Sequence, residues 1–106
     1  MIGIRLKDFA DGGRLLGTRQ IALPVRDQVE TALEKGETIT LDFEDTNPTQ
    51  AFVDELIGSL VLERGIDVLD RLVMKNCSDD IKAILHFVVS DRLDQLEEGH
   101  AVGTSY

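Results

Sequence analysis

The clearest alternation of apolar and polar positions lies between Thr38 and Gly65. Ile39, Leu41 and Phe43 alternate with Thr38, Thr40 and Asp42, and a period of two with β-branched and aromatic residues predicts a strand. Glu44-Asp45-Thr46-Asn47-Pro48 follows, a cluster of turn formers. The period then changes. Phe52, Val53, Leu56, Ile57, Leu60 and Val61 recur at spacings of one, three and four, which is one apolar stripe on a helix. Thr49 stands at the N-cap position, and Gly65 where a helix end takes a left-handed residue. This strand, loop and helix place the helix N-terminus beside the strand's C-terminal end, where free N–H groups and the helix dipole favour a carboxylate or phosphate.

Around that unit the chain reads in order. Ile2, Ile4 and Leu6 alternate with polar or small residues, predicting a strand from Met1 to Lys7. Asp11-Gly12-Gly13 reads as a turn, and Arg14–Gly17 as the second strand of a hairpin. Thr18 caps a helix that runs to Lys35 before Gly36, with Ala22, Val25, Val29, Ala32 and Leu33 as its stripe. Arg26, Asp27, Glu30, Glu34 and Lys35 then face water. An interior proline costs about 3 kcal/mol, so Pro24 predicts that the helix proper begins near Leu23. Ile66–Asp70 reads as an irregular or one-turn helical connection, and Arg71–Asn76 as a strand buried on both faces. Ser78 caps a last helix with Asp79 and Asp80 in its first turn. Ile81, Ile84, Leu85, Val88, Val89, Leu93 and Leu96 lie on or near its stripe, and it runs to Glu98 before Gly99.

Strands alternating with helices predict an α/β fold, a mostly parallel four-stranded sheet with an N-terminal hairpin and helices packed on it. The reading gives one domain over 1–98 and a flexible tail over 99–106.

Charge narrows the partners. A net charge of −9 argues against nucleic acid or an anionic membrane held through a basic surface. No apolar run approaches the roughly 20 residues of a membrane span, and MIGIRLKD lacks the shape of a signal peptide. The single Cys77 suits a reducing compartment, so a cytoplasmic protein is expected. Candidate chemistry is sparse. There is no Gly-rich phosphate loop, and His86, His100 and Cys77 have no metal-ligand spacing. Asp54 and Glu55 are adjacent on a helix and point about 100° apart, which suits a solvated face better than a carboxylate pair. Cys77, before a helix start, reads as a structural cysteine rather than a nucleophile. Phe87 points away from Ile84 and Val88, either as a contact surface or as part of a wider core. No cofactor, no metal and no enzymatic constellation is expected.

LDFEDTNPTQAFVDELIG (41–58), followed by RLVMKNCSDDIKAIL (71–85), closely resembles the STAS-like bacterial domains of uncharacterised function. The resemblance covers about residues 2 to 96. More distantly it is similar to the STAS domains of anti-sigma factor antagonists. Those place a regulatory serine at the start of the helix after a central strand and bind a histidine-kinase-like ATPase. The resemblance therefore implies a regulatory docking module with a partner-binding or phosphoswitch corner at Asp45, Thr46, Asn47, Thr49, Gln50, Ala51, Asp54 and Glu55. The alternative is a small-ligand sensor that holds a nucleotide or other anion there. The chain departs from the family pattern at Gln50-Ala51-Phe52, where a phosphorylatable serine is expected.

Overall fold

The computed structural model describes residues 1–10 and 13–104, with side chains from 97 onward outside the described set. Ile2–Arg5 (β1), Ile39–Asp42 (β3) and Leu72–Lys75 (β5) form a parallel sheet in the order β1-β3-β5. The central strand is the one whose alternation is clearest. Leu15–Leu16 (β2) and Asn47–Pro48 (β4) form a separate two-stranded parallel pair. The helices are Arg19–Glu34 (α1), a continuous run over Gln50–Val53, Asp54–Gly58 and Ser59–Arg64 (α2), and Asp79–Thr104 (α3).

The parallel sheet with packed helices stands, but the four-stranded sheet with a hairpin does not. After Arg5 the chain turns into a 3-10 helix, Leu6–Phe9, which buries Leu6 and leads away from the sheet. The next strand then bonds the loop in front of α2: Asn47 N–H donates to Arg14 O (2.7 Å) and Thr49 N–H to Leu16 O (3.0 Å). Alternate residues of a strand face opposite ways, so Pro48, between these donors, loses nothing by lacking an N–H. A segment read as a turn becomes a strand for that reason. Asp11 and Gly12, the expected turn, lie outside the described residues.

Pro24 sits inside α1, which begins at Arg19 and not near Leu23. Thr18 Oγ1 caps it by accepting from Ile21 N–H (3.2 Å). The carbonyl that loses its donor belongs to Gln20, and both Gln20 and Pro24 are exposed, which leaves that carbonyl within reach of solvent. At the other end of the chain, α3 continues through Gly99 to Thr104. An interior glycine weakens a helix by about 1 kcal/mol without breaking it. Residues 105 and 106 of the expected tail lie outside the described residues.

The core lies on one face of the sheet. Ile4, Ile39, Leu41 and Leu72 point into it and meet Ala22, Val25 and Val29 of α1 and Phe52, Val53, Leu56, Ile57, Leu60 and Val61 of α2. α2 is flanked by α1 and α3. Its middle, Asp54–Gly58, is π-helical, with Ser59 N–H donating to Asp54 O. The wider turn lets three consecutive residues, Leu56, Ile57 and Gly58, all be buried. Gly65 closes the run at φ 83° with its N–H on Val61 O (2.8 Å). The opposite face of the sheet is open. β5, expected to be buried on both faces, turns Val73 (44% exposed) and Lys75 to that open side.

Candidate functional site

The loop from Phe43 to Thr49 joins β3 to α2 and is fixed residue by residue. Phe43 N–H donates to Lys75 O (2.9 Å), which extends the sheet by one residue. The Phe43 carbonyl then accepts from both Thr46 N–H (3.2 Å) and Thr46 Oγ1 (2.7 Å), closing a turn with Thr46 buried. Asp45 stands in this turn at φ 55°, a conformation that aspartate tolerates better than most residues. Its carboxylate meets Lys7 Nζ and Arg14 Nε (2.9 Å for the latter). The Lys7 hydrogen bond, with help from Arg14, holds the Asp45 carboxyl below its ordinary range.

Thr49 is the N-cap of α2. Its Oγ1 accepts from Phe52 N–H (3.2 Å) and donates to Gly17 O (3.2 Å). The hydroxyl is thus engaged in both directions, as a cap requires, with the second bond reaching across to the end of β2. Asn47 and Gln50 are exposed at the same place, and Ala51 is half-buried. Asp45, Thr46, Asn47, Thr49, Gln50 and Ala51 thus lie together on the hydrogen-bonded loop and first turn of α2.

Asp54 and Glu55 do not belong to that surface, nor are they a solvated face. Asp54 binds Arg92 of α3 through two bonds, from Nε to Oδ1 (2.9 Å) and from Nη2 to Oδ2 (2.7 Å), while Arg19 of α1 donates to Oδ2 (2.9 Å). The Asp54 and Arg92 side chains are only 15% and 18% exposed. Glu55 receives Arg26 Nη1 (2.9 Å) and Ser59 Oγ (3.3 Å). Arg26, expected in water, is half-buried and also meets Glu30 and Glu63. Three helices are thereby joined at the π-helical turn. The crossing is close because Gly58 has no side chain: a Cβ there would lie 2.8 Å from Asp54 Oδ1, 2.9 Å from Arg92 Nε and 3.2 Å from Val88 Cγ1. Sequence reading missed Arg92. The available signal was an arginine four residues after Val88, on the buried stripe of α3.

Burial by itself would raise the Asp54 carboxyl, but the Arg92 and Arg19 hydrogen bonds outweigh it and hold the group below its ordinary range. Asp42, bonded by Asn76 Nδ2 (2.8 Å) and Glu44 N–H (2.9 Å), is lowered too. A carboxyl depressed on folding adds stability above the unfolded value of about 3.9, which is lost as pH falls through the folded value. The urea midpoint is therefore expected to stay level from about pH 7 to 5 and to fall below about pH 4. Asp54→Asn is expected to lower the plateau and shrink that acid-side fall. An unchanged fall would show that Asp54 does not contribute to it.

The remaining candidates fall out of the chemistry. Burial pushes the Cys77 thiol up, with Lys82 opposing and Asp42 adding to the shift, so the helix start does not activate it. No cluster of three or more His, Cys, Asp or Glu suited to a metal occurs among the described residues. Phe87 is 54% exposed on α3 and belongs to the surface. No helix among the described residues is long and apolar enough to cross a membrane.

A family model described as a STAS-like domain of unknown function (DUF4325) matches residues 22–82, more than half of the chain. No curated protein and no solved structure matches it.

Proposed function

We propose a regulatory docking role for this chain, which belongs to the family of STAS-like domains of unknown function. In this reading it is a non-enzymatic module whose corner from Asp45 to Ala51 binds a partner protein of the histidine-kinase-like ATPase class. The observation that carries it is the state of Thr49: the one hydroxyl at the start of α2 is consumed as a cap, while Asn47 and Gln50 stand exposed beside it on a rigid base. A corner built this way offers a fixed surface and no free phosphate acceptor, so docking is constitutive rather than switched. An anion sensor has less support, because Lys7 and Arg14 are both engaged by Asp45 and the pocket that Lys7 shares with Arg5 is also lined by the carboxylates Glu44 and Asp45.

The test takes purified histidine-kinase-like ATPases of the same cell one at a time. One is expected to bind the wild-type chain. Ala51→Asp should weaken that binding at least about ten-fold, because an unpaired carboxylate buried in an interface costs more than the roughly 1.4 kcal/mol this represents. With ATP present, intact-mass spectrometry should find Thr49 unmodified in the wild type and one phosphate on Ala51→Ser. Binding to none of the ATPases, undiminished binding by Ala51→Asp, or a phosphopeptide at Thr49 would each sink the proposal.

A further inference from the structure

β5 is the edge of the sheet, and no strand pairs with its outer side among the described residues. Lys75 O accepts from Phe43 N–H, so the backbone of Lys75 and Val73 turns toward β3, and that of Leu72 and Met74 turns to the free edge. Beneath this edge runs a mostly apolar trough of about 440 Å³ between β5 and α3, lined by His86 and Ser90 and by the apolar Leu69, Leu72, Met74, Leu85, Val89 and Leu93. Sequence periodicity places the last three on the core stripe of α3, yet all are only half-buried, because the sheet stops one strand short of covering them.

The register says what would complete it. On the open face the in-register rows are Gly3–Thr40–Val73 and Arg5–Asp42–Lys75. The second row alternates in sign and ends on a lysine, and the Asp42 carboxylate is hydrogen-bonded by Asn76 and the Glu44 amide, with Lys75 acting on it through its charge. An acidic residue is the favourable cross-strand neighbour for Lys75, and an apolar one for Val73. A second copy of this chain fits poorly: β5 beside the β1 of another molecule in the same register puts Lys75 next to Arg5, and β5 against β5 brings Lys75 toward Arg71. The cavity below the other edge, at β1, is smaller, about 330 Å³, and is lined by Ile2 and Ala32 together with the side chains of Asp27, Gln28, Thr31 and Lys35.

We propose that the free edge of β5 accepts an extended segment of a partner protein by strand addition. The segment turns alternate apolar side chains into the trough and sets an acidic side chain against Lys75. Backbone pairing with Leu72 and Met74 supplies the attachment, and the trough and Lys75 supply the selection. This surface is separate from the corner at Thr49, and each stands or falls without the other.

The probe is a short capped peptide with valine at alternate positions and, on its other face, an alanine to lie beside Val73 and one glutamate to lie beside Lys75, added to the full chain and followed by amide hydrogen exchange and chemical shifts. At about ten times its Kd it is expected to slow exchange at Leu72 and Met74 about ten-fold and to shift Leu85 and Val89. The same peptide with lysine for glutamate should bind at least ten-fold more weakly, and Lys75→Glu, a surface change checked by circular dichroism, should reverse the order. Three results would overturn the proposal: unchanged exchange at Leu72 and Met74, equal binding of the two peptides, or protection at β1 instead. Sedimentation showing a dimer already protected at β5 would also overturn it, by giving the edge to a second copy.

Discussion

Leu56→Ala is expected to cost about 2–5 kcal/mol of folding stability. Leu56 is fully buried in the π-helical turn of α2, with the sheet beneath and α1 and α3 on either side. A cavity opened at a three-helix junction closes poorly, because each neighbour is held by others. The arginine links from α1 and α3 to Asp54 and Glu55 pin the surrounding backbone further. The upper half of the range is therefore favoured. Urea denaturation followed by circular dichroism measures it. Leu62→Ala, at a partly exposed position of the same helix, serves as the reference and should stay within about 0.5 kcal/mol. A loss below about 1 kcal/mol for Leu56→Ala would mean that α2 is not the centre of the core.

The second large effect is electrostatic. Asp54→Ala is expected to cost about 1–3 kcal/mol, between the small value of an exposed ion pair and the larger one of a fully buried pair. Most of the loss is the cost of leaving Arg92 without its two-bonded partner in a nearly closed site. Combining Asp54→Ala with Arg92→Ala should then cost less than the sum of the two single changes, and the difference is the coupling. Additive losses would show that the pair is only a neighbourly contact on a wet surface. Gly58→Ala probes the same crossing from the backbone side. Alanine favours a helix over glycine by about 1 kcal/mol, but here its methyl would press on Asp54, Arg92 and Val88. Net destabilisation is expected, since the atoms it meets are held by one another.

These two sites show what kind of contact a sequence discloses. The stripe of α2 was legible because Leu56 and its neighbours repeat at helical spacing, and the stripe must be buried wherever the helix goes. Asp54 and Glu55 were misjudged as solvated because their partners stand 35, 38 and 29 residues away in sequence. Nothing local to Asp54 announces Arg19 or Arg92. Of the four carboxylates near this helix start in sequence, Glu44, Asp45, Asp54 and Glu55, three are paired by Lys7, Arg14, Arg19, Arg26 and Arg92 from other elements.

By itself the sequence determined the three strands of the main sheet, the three long helices and the caps at Thr18, Thr49 and Ser78, each of which accepts the backbone N–H three residues on. Those features are set by periods and by hydrogen bonds within one turn, so a short window of residues specifies them. It also marked the corner at Asp45–Ala51, since turn formers followed by a cap leave the chain few other shapes. Tertiary structure decided the rest. It made Leu15–Leu16, within the Arg14–Gly17 segment read as a hairpin strand, the parallel partner of Asn47-Pro48, kept Pro24 inside a helix by exposing Gln20, and left one face and both edges of the main sheet open among the described residues. Strand pairing, ion-pair partners and sheet edges depend on which distant segment arrives beside which, and the alternation of a single strand is the same whether or not a neighbour comes to lie against it.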